Sequence, residues 1–163
     1  MIRVGLGQDS HAFEQDGSRK PLVLGGVVFA GHPGLLANSD GDVVLHALFT
    51  ALSQAVGKRS LGVYADPICR RGITDSKEYL RVALDMVRQA GYTINNVGVS
   101  IEARRPKIEP MAEQMKASIA GILGVGDDQV GITATSGEGL TAFGRGEGIQ
   151  VFVIVSLTSE TNT

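Results

Sequence analysis

The chain has 163 residues, a formal net charge of -2 at pH 7, and 43% hydrophobic against 20% charged residues. A chain of this length can bury roughly two-thirds of the surface that its unfolded form exposes, so we expect one domain over residues 1–163. The composition excludes a disordered or fibrous protein. No run of Lys and Arg exceeds a pair, which excludes the basic patch that is typical of nucleic-acid binding.

Two features of the sequence bear on the location of the protein. Cys69 is the single cysteine and cannot form an internal disulfide, and the N-terminus begins directly with a strand-like pattern. The longest apolar stretch, residues 151–155, falls far short of the roughly 20 residues that cross a bilayer. We therefore expect a cytoplasmic protein without a membrane segment.

The first part of the chain predicts two strands followed by a loop. Apolar and other residues alternate with period two over residues 2–6. We therefore predict a first strand that leads into a loop made flexible by Gly5 and Gly7. Residues 22–29, with a glycine pair in the middle, predict a second strand with a bulge. A polar loop over residues 33–41 then leads to the first helix.

Three segments carry apolar residues at the helical spacing of three and four positions. They predict helices over residues 42–57, 75–91 and 110–124, each closed by a glycine. At the start of the second helix, Asp75 and Glu78 can form a capping box.

Strand patterns at residues 97–101, 130–134 and 149–157 complete the order β, β, α, α, β, α, β, β, which predicts one sheet with helices against it. Residues 151–155 are apolar at odd and even positions alike, whereas a strand in a sheet with one face in water should alternate between apolar and polar residues. Helices can cover one face, and the simplest cover for the other is a second copy of the chain. We therefore expect a homo-oligomer.

Asp9, His11 and His46 form a candidate metal site. Asp9 and His11 are two positions apart, so on an extended backbone both side chains point the same way. Imidazole and carboxylate ligands suit zinc, and three protein ligands leave a fourth position open, as catalytic sites do. By spacing alone, a capping aspartate with two packed histidines is the commoner arrangement, so both interpretations stay open at this point.

Four segments change that balance: GLGQDSHAF at 5–13, LGG at 24–26, PGLLANSDGDVVLHAL at 33–48 and GRGEGI at 144–149. In this order they resemble the 2-C-methyl-D-erythritol 2,4-cyclodiphosphate synthase family, over nearly the whole chain. The resemblance implies an α+β fold with one four-stranded mixed sheet plus a small hairpin. Helices would pack on one face of the sheet, and the other face would lie in a homotrimer interface.

The resemblance also implies a reaction. The family converts 4-diphosphocytidyl-2-C-methyl-D-erythritol 2-phosphate, a small-molecule cytidine diphosphate substrate, to 2-C-methyl-D-erythritol 2,4-cyclodiphosphate with release of CMP, in non-mevalonate isoprenoid biosynthesis. This is a phosphorus–oxygen lyase with active sites between neighbouring subunits. Asp9, His11 and His46 match its zinc ligands, and Glu138 matches the glutamate that binds a second ion, Mg²⁺ or Mn²⁺. Two cations suit the reaction because they neutralise the phosphate charge.

Further positions match the family's substrate and nucleotide contacts. Asn38 and Ser136 fall at its catalytic positions. Arg145 and Glu147 match residues that line a central trimer channel, although a surface ion pair would have the same sequence. The positions that match substrate-binding residues are Asp9, His11, Ser39, Ser60, Gly62, Ala103, Lys107, Ile108, Thr135, Glu138 and Arg145.

The chain departs from the family pattern at several places. Asn38 stands where the family has histidine, and Thr50 and Ser60 stand where it has aspartates. Residues 63–74 are one residue shorter than usual, and Asp66 within them has no assigned match. These departures leave a second hypothesis open, a diverged metal-binding trimer that keeps the scaffold but has lost or changed the synthase reaction.

Overall fold

The computed structural model describes residues 1–15 and 17–159, and its centre is a four-stranded mixed sheet. The strands of the sheet are β1 (Ile2–Ala12), β4 (Tyr92–Glu102), β5 (Val130–Thr135) and β6 (Gly148–Ser159). Their spatial order is β1-β6-β4-β5, with β6 antiparallel to both neighbours and β5 parallel to β4. A separate hairpin consists of β2 (Pro21–Leu24) and β3 (Val27–Pro33).

Four helices complete the fold among these described residues, and three of them pack directly on one face of the sheet. Short 3₁₀ turns at residues 109–111, 127–129 and 137–139 connect some of the elements. In the part of the chain that the structure describes, no helix is long and apolar enough to span a bilayer. The helices are α1 (Val43–Ala55), α2 (Leu61–Cys69), α3 (Ser76–Gln89) and α4 (Ala112–Leu123).

The first strand is longer than the sequence predicted, because Gly5 and Gly7 lie inside β1 and do not begin a loop. A Cβ atom on either glycine would lie 1.9 Å from a backbone oxygen of α1. The two glycines therefore allow α1 to pack directly on the backbone of β1. This close approach places His46 of α1 beside Asp9 and His11 of β1.

The predicted second strand was wrong as a single element, since residues 22–29 fold into the two arms of the β2–β3 hairpin. Gly25 and Gly26 adopt φ angles of 62° and 78°, which form the tight turn between the arms. Asp42 at the start of α1 accepts N–H bonds from both glycines, at 2.9 and 2.7 Å, and from Leu45 at 3.0 Å. Burial raises the pKa of Asp42 to about 6, while these backbone hydrogen bonds act in the opposite direction.

The three predicted helices are confirmed as α1, α3 and α4, but the predicted capping box is not formed. Asp75 accepts the N–H of Lys77, and the carboxylate of Glu78 pairs with Arg81. The structure adds the nine-residue helix α2, which the sequence analysis missed. Its proline, Pro67, and its short length hid the helical pattern.

The two faces of the sheet differ as the alternation along β6 requires. Val151, Val153 and Val155 are fully buried under the helices, whereas Phe152 and Ile154 between them are 38% and 52% exposed. Leu6 on β1 lies directly opposite Ile154 in the strand register. The exposed side is called the apolar face below, and its large side chains are Ile2, Val4, Leu6, Phe152 and Ile154.

Candidate metal centre and substrate cleft

Asp9, His11 and His46 meet on the helix-covered face of β1. Asp9 Oδ2 lies 3.1 Å from His11 Nε2 and 3.0 Å from His46 Nδ1, and the two nitrogens are 3.3 Å apart. Atoms at the corners of a tetrahedron lie about 3.3 Å apart when each is ~2.0 Å from a central ion, as zinc ligands are. The three side chains, called the triad below, therefore have the spacing of a metal site with one corner open.

In each of the two imidazole rings, the nitrogen that faces away from the metal position also has a hydrogen-bond partner. His11 Nδ1 lies 3.0 Å from the carbonyl oxygen of Leu36. His46 Nε2 lies 2.8 Å from Ser76 Oγ and 3.3 Å from Ser39 Oγ. Because each ring is bonded on its far side, both imidazoles are held in the orientation that aims one nitrogen at the shared point.

The charge of the triad follows from its contacts. Burial opposes ionisation of Asp9, but the hydrogen bonds and charges of His11 and His46 outweigh it and hold the pKa of Asp9 well below its ordinary value. Asp9 is therefore a carboxylate at neutral pH. One anionic oxygen beside two imidazole nitrogens suits a divalent cation of zinc's class.

A cleft of about 440 Å³ opens beside the triad. Asn38, Ser39 and Gly62, three of the residues predicted from the sequence, line this cleft. Ser60 is the N-cap residue of α2 and does not line it. The remaining lining residues are Leu36, Ala37, Leu61, Ala65, Asp66, Cys69 and Tyr79.

Three polar lining residues were missed by the sequence analysis, namely Asp66, Cys69 and Tyr79. The first two lie on α2, and since that helix was not predicted, the direction of their side chains could not be derived. The Tyr79 hydroxyl donates to the carbonyl oxygen of Ile73 at 2.6 Å, and burial raises the pKa of this phenol. Tyr79 is therefore a neutral part of the cleft wall.

The other predicted residues lie at the opposite edge of the sheet. One row of paired residues runs from Asp9 on β1 through Val151 and Ile101 to Ala134 on β5. Three strand spacings of about 4.8 Å separate its ends by about 14 Å. Next to that far end is a shallow pocket of about 330 Å³, called the β5 rim below, which is lined by Arg104, Ser136, Glu138, Gly139 and Gly144.

Glu138 on the β5 rim has a backbone that few residue types adopt. Its φ and ψ angles are 51° and 24°, the left-handed region, which costs a non-glycine residue roughly 1 kcal/mol or more. Its N–H donates to Ser136 Oγ at 3.3 Å, and the Ser136 hydroxyl lies 3.3 Å from Glu138 Oε1. The carboxylate is exposed, so it is accessible to a ligand from outside the chain.

The remaining predicted positions lie at or after the ends of β4 and β5, or just before β6. Thr135 ends β5 and is exposed, as is Lys107, whereas Ala103 and Ile108 are buried. Arg145 Nε donates to Glu147 Oε1 at 2.9 Å, and both side chains are more than half exposed. Within one chain, the predicted site residues thus form two groups, one at the triad and one at the β5 rim.

Comparisons with known proteins identify the family of this chain. The model of the YgbB family matches residues 2–158. A 2-C-methyl-D-erythritol 2,4-cyclodiphosphate synthase from Chlamydia caviae is 45% identical in an alignment of 163 positions that covers 99% of this chain and 92% of the relative. The synthase of the same name from Chlamydia felis is 46% identical over 158 residues, 96% of this chain and 89% of its own length.

A solved structure also superposes on the chain. It is described as IspF from Plasmodium falciparum in complex with CDP. The superposition covers 98% of this chain and 97% of the other, with a TM-score of 0.86 at 27% sequence identity. The similarity therefore extends over the sheet, the helices and both groups of predicted site residues.

Proposed function

This chain belongs to the YgbB family, and we propose that it is the lyase that forms 2-C-methyl-D-erythritol 2,4-cyclodiphosphate from 4-diphosphocytidyl-2-C-methyl-D-erythritol 2-phosphate. The observation that carries the proposal is the triad, whose open corner faces a cleft large enough for a small phosphorylated sugar alcohol. The alternative of a diverged scaffold without this activity is not favoured, because relatives at 45% and 46% identity are synthases.

The reaction transfers a phosphoryl group within one molecule. An oxygen of the 2-phosphate attacks the β-phosphorus, the bond from the β-phosphorus to the bridging oxygen breaks, and CMP leaves with that oxygen. The attacking oxygen is already anionic, so the protein mainly aligns the phosphates. When bound, Zn²⁺ at the triad and Mg²⁺ or Mn²⁺ near Glu138 supply the positive charge that stabilises the attacked and departing phosphates.

The residues of the triad cleft bind and orient the part of the substrate that reacts. Asp9, His11 and His46 would hold the zinc ion, since their atoms have the spacing that its ligands need. The Asn38 amide can donate a hydrogen bond to a phosphate oxygen as charge develops there. Ser39 and Gly62 line the cleft beside it, whereas Ser60 at the start of α2 does not, so its predicted contact with the sugar alcohol is not part of this proposal.

The residues of the β5 rim bind the nucleotide part. Glu138 would hold the second ion with its exposed carboxylate, and Thr135 and Ser136 offer hydroxyls to the phosphates. Lys107 adds a positive charge. Ala103 and Ile108 would border the cytosine, and the CDP complex of the Plasmodium falciparum relative supports a site for this group in the family.

The separation of the two groups supports a homotrimer. The width of the sheet, about 14 Å, separates the triad from the β5 rim of one chain. Copies that pack on one another through their apolar faces would cover those faces. The β5 edge of one copy would then lie beside the β1 edge of the next, which carries the triad. In such a trimer, Arg145 and Glu147 would line the central channel, as the sequence comparison implies.

Two broader predictions accompany this function. The family model covers residues 2–158, which supports one domain over residues 1–163. Cys69 carries a free thiol, which is compatible with the reducing conditions of a cytoplasmic location.

The test is CMP release by the purified protein, with Zn²⁺ and Mg²⁺ supplied. We expect CMP and the cyclic diphosphate in equal amounts, and loss of both when a chelator removes the metals. His46→Ala should abolish turnover and zinc binding, because it removes one of three ligands. His32→Ala, which changes a histidine of β3 outside the cleft, is the matched control and should retain both. No product from a zinc-loaded oligomer would overturn the proposal.

A further inference from the structure

Two residues behind His46 make contacts that the proposed reaction does not use. Ser76 is the first residue of α3 and is 1% exposed, and Asp40 belongs to the loop before α1. Ser76 Oγ lies 2.8 Å from His46 Nε2, on the side of the ring away from the metal position. The same hydroxyl bonds to Asp40 Oδ1. His46, Ser76 and Asp40 thus form a chain of hydrogen bonds that starts at a triad ligand.

The carboxylate of Asp40 is bonded on all sides by donors. It accepts the N–H of Ser76 at 3.0 Å and the N–H of Asp42 at 3.0 Å, in addition to the Ser76 hydroxyl. The backbone N–H of Asp40 donates to the carbonyl oxygen of Thr74 at 2.8 Å. Asp40 is therefore held firmly between the loop and the start of α3.

The direction of these hydrogen bonds follows from the chemistry of the groups. A carboxylate has no proton to donate, so the Ser76 hydroxyl must donate its single proton to Asp40. Toward His46 the hydroxyl oxygen can then only accept, which requires the proton of the neutral imidazole on Nε2. His46 Nδ1 faces Asp9 Oδ2, which likewise only accepts, so the ring has an acceptor on each side. When a cation takes the lone pair of Nδ1, the proton of the neutral ring is on Nε2, where the Ser76 oxygen accepts it.

His11 shows the same arrangement with a shorter connection. Its Nδ1 lies 3.0 Å from the carbonyl oxygen of Leu36, which can only accept, so this contact holds the proton on Nδ1 and leaves Nε2 for a cation. Each imidazole of the triad is therefore bonded, directly or through one hydroxyl, to an oxygen that cannot donate. Ligand histidines in metal sites are commonly fixed by such contacts.

From this geometry we propose that Ser76 and Asp40 are positioning residues, which hold His46 in the tautomer and orientation that a metal ion requires. The inference rests on the proposed function only in that it needs a divalent cation at the triad. It assigns a role to the start of α3, which the sequence analysis treated solely as a helix boundary.

The primary test is Zn²⁺ affinity, measured by competition with a chromophoric chelator. We expect Ser76→Ala to weaken Zn²⁺ binding by about 10- to 100-fold, as the loss of such an outer contact does. Asp40→Asn keeps the size of the side chain but places an NH₂ group where only acceptors fit. In one orientation this NH₂ group donates to Ser76 and reverses the direction of the hydrogen bonds that lead to His46. A comparable loss of Zn²⁺ affinity is therefore expected.

Ser53→Ala is the matched control for these variants. Ser53 is also 1% exposed and its hydroxyl donates to the carbonyl oxygen of Arg59 at 2.6 Å, on α1 but away from the triad. Its loss should lower thermal stability and leave Zn²⁺ affinity within about two-fold. Equal losses in Ser53→Ala and Ser76→Ala would show a general loss of stability and would overturn the inference.

A second measurement does not depend on bound metal. The ¹⁵N chemical shifts of the His46 ring in the zinc-free protein should show a proton on Nε2 in the wild type. In Ser76→Ala and Asp40→Asn, a larger share of the rings should carry the proton on Nδ1 alone, toward Asp9. Unchanged shifts and unchanged Zn²⁺ affinity in both variants would overturn the inference. If the wild type bound no Zn²⁺, the proposed function would fail, and the ring shifts would still decide whether Ser76 and Asp40 fix the tautomer.

Discussion

The triad and the β5 rim differ in how much of their geometry one chain supplies by itself. At the triad, three ligand atoms lie within 3.3 Å of one another and the far nitrogens of both imidazoles are bonded. On the rim, Glu138 is exposed, and its hydrogen bonds reach only Ser136, two residues away. The first site is preorganised, whereas the carboxylate of the second is held, among the described residues, by one hydroxyl on a neighbouring residue.

The cause of the difference is the position of each site in the sheet. The triad lies between β1 and α1, where Gly5 and Gly7 let the helix approach the strand closely. The rim follows β5, an edge strand that pairs with β4 alone. A buried site between packed elements gains its order from folding, while a site at an exposed edge gains it from a ligand or a neighbouring subunit.

The largest expected effect comes from a variant that prevents association, so that the triad of one copy no longer meets the β5 rim of another. Ile154→Glu places a charge in the middle of the apolar face, which should prevent association because an unpaired charge is costly to bury. We expect monomers that bind Zn²⁺ normally but release CMP at least about 100-fold more slowly, because the rim of a second copy is missing. Light scattering, zinc content and CMP release measure the three properties.

The control for this variant is Ile73→Glu. Ile73 is 39% exposed but lies in the loop before α3, away from the apolar face. It should leave the oligomer and the turnover unchanged. A monomeric Ile154→Glu variant with full activity would show that one chain is sufficient and that the proposed trimer is not needed for the reaction.

A smaller effect should come from the rim alone. Glu138→Gln removes the charge that would hold the second ion, and several kcal/mol of charge stabilisation depend on such an ion. Turnover should fall by about 100-fold and respond less to Mg²⁺ and Mn²⁺, whereas Zn²⁺ affinity should not change. Glu113→Gln, a surface carboxylate on α4 that pairs with Lys116, is the control. Loss of Zn²⁺ in Glu138→Gln would contradict the independence of the two sites.

Much of the fold and of the triad could be predicted from the sequence. The periodicities that predict α1, α3, α4 and the strands of the sheet are local, so they can be recognised in short segments. Asp9 and His11 were recognisable as a pair because they alternate on one strand. His46 could be joined to them only through the resemblance of the surrounding segments, since the contact crosses 35 positions of the chain.

What could not be predicted depends on contacts between distant elements. Gly5 and Gly7 carry the same local signal in a loop as in a strand that a helix approaches, so the end of β1 was misplaced. The helix α2 is nine residues long and contains Pro67, which concealed its pattern. The distance between the triad and Glu138 is set by the order of the strands, which no local segment specifies.

The smallest effect should come from Asp66 on α2, in the wall of the triad cleft. Among the described residues that line the cleft, Asp66 is the one carboxylate outside the triad. Ser60, at the start of the same helix, occupies the position where the family has an aspartate that contacts the hydroxyls of the sugar alcohol. Asp66 is therefore suited to accept hydrogen bonds from those hydroxyls, a contact that would complete the triad cleft without the rim.

Asp66→Asn should raise the KM for the substrate by about 5- to 30-fold, which corresponds to roughly 1–2 kcal/mol, the lower part of the range for a polar group that loses its partner. The kcat should stay nearly constant, because the hydroxyls are bound equally before and during the reaction. Zn²⁺ affinity should also be unchanged, since the carboxylate does not contact the triad. Asp85→Asn, on the surface of α3 and paired with Arg88, provides a control with the same change in charge. An unchanged KM in Asp66→Asn would place the sugar alcohol on another wall of the cleft, whereas a fall in kcat alone would give Asp66 a part in the phosphoryl transfer itself.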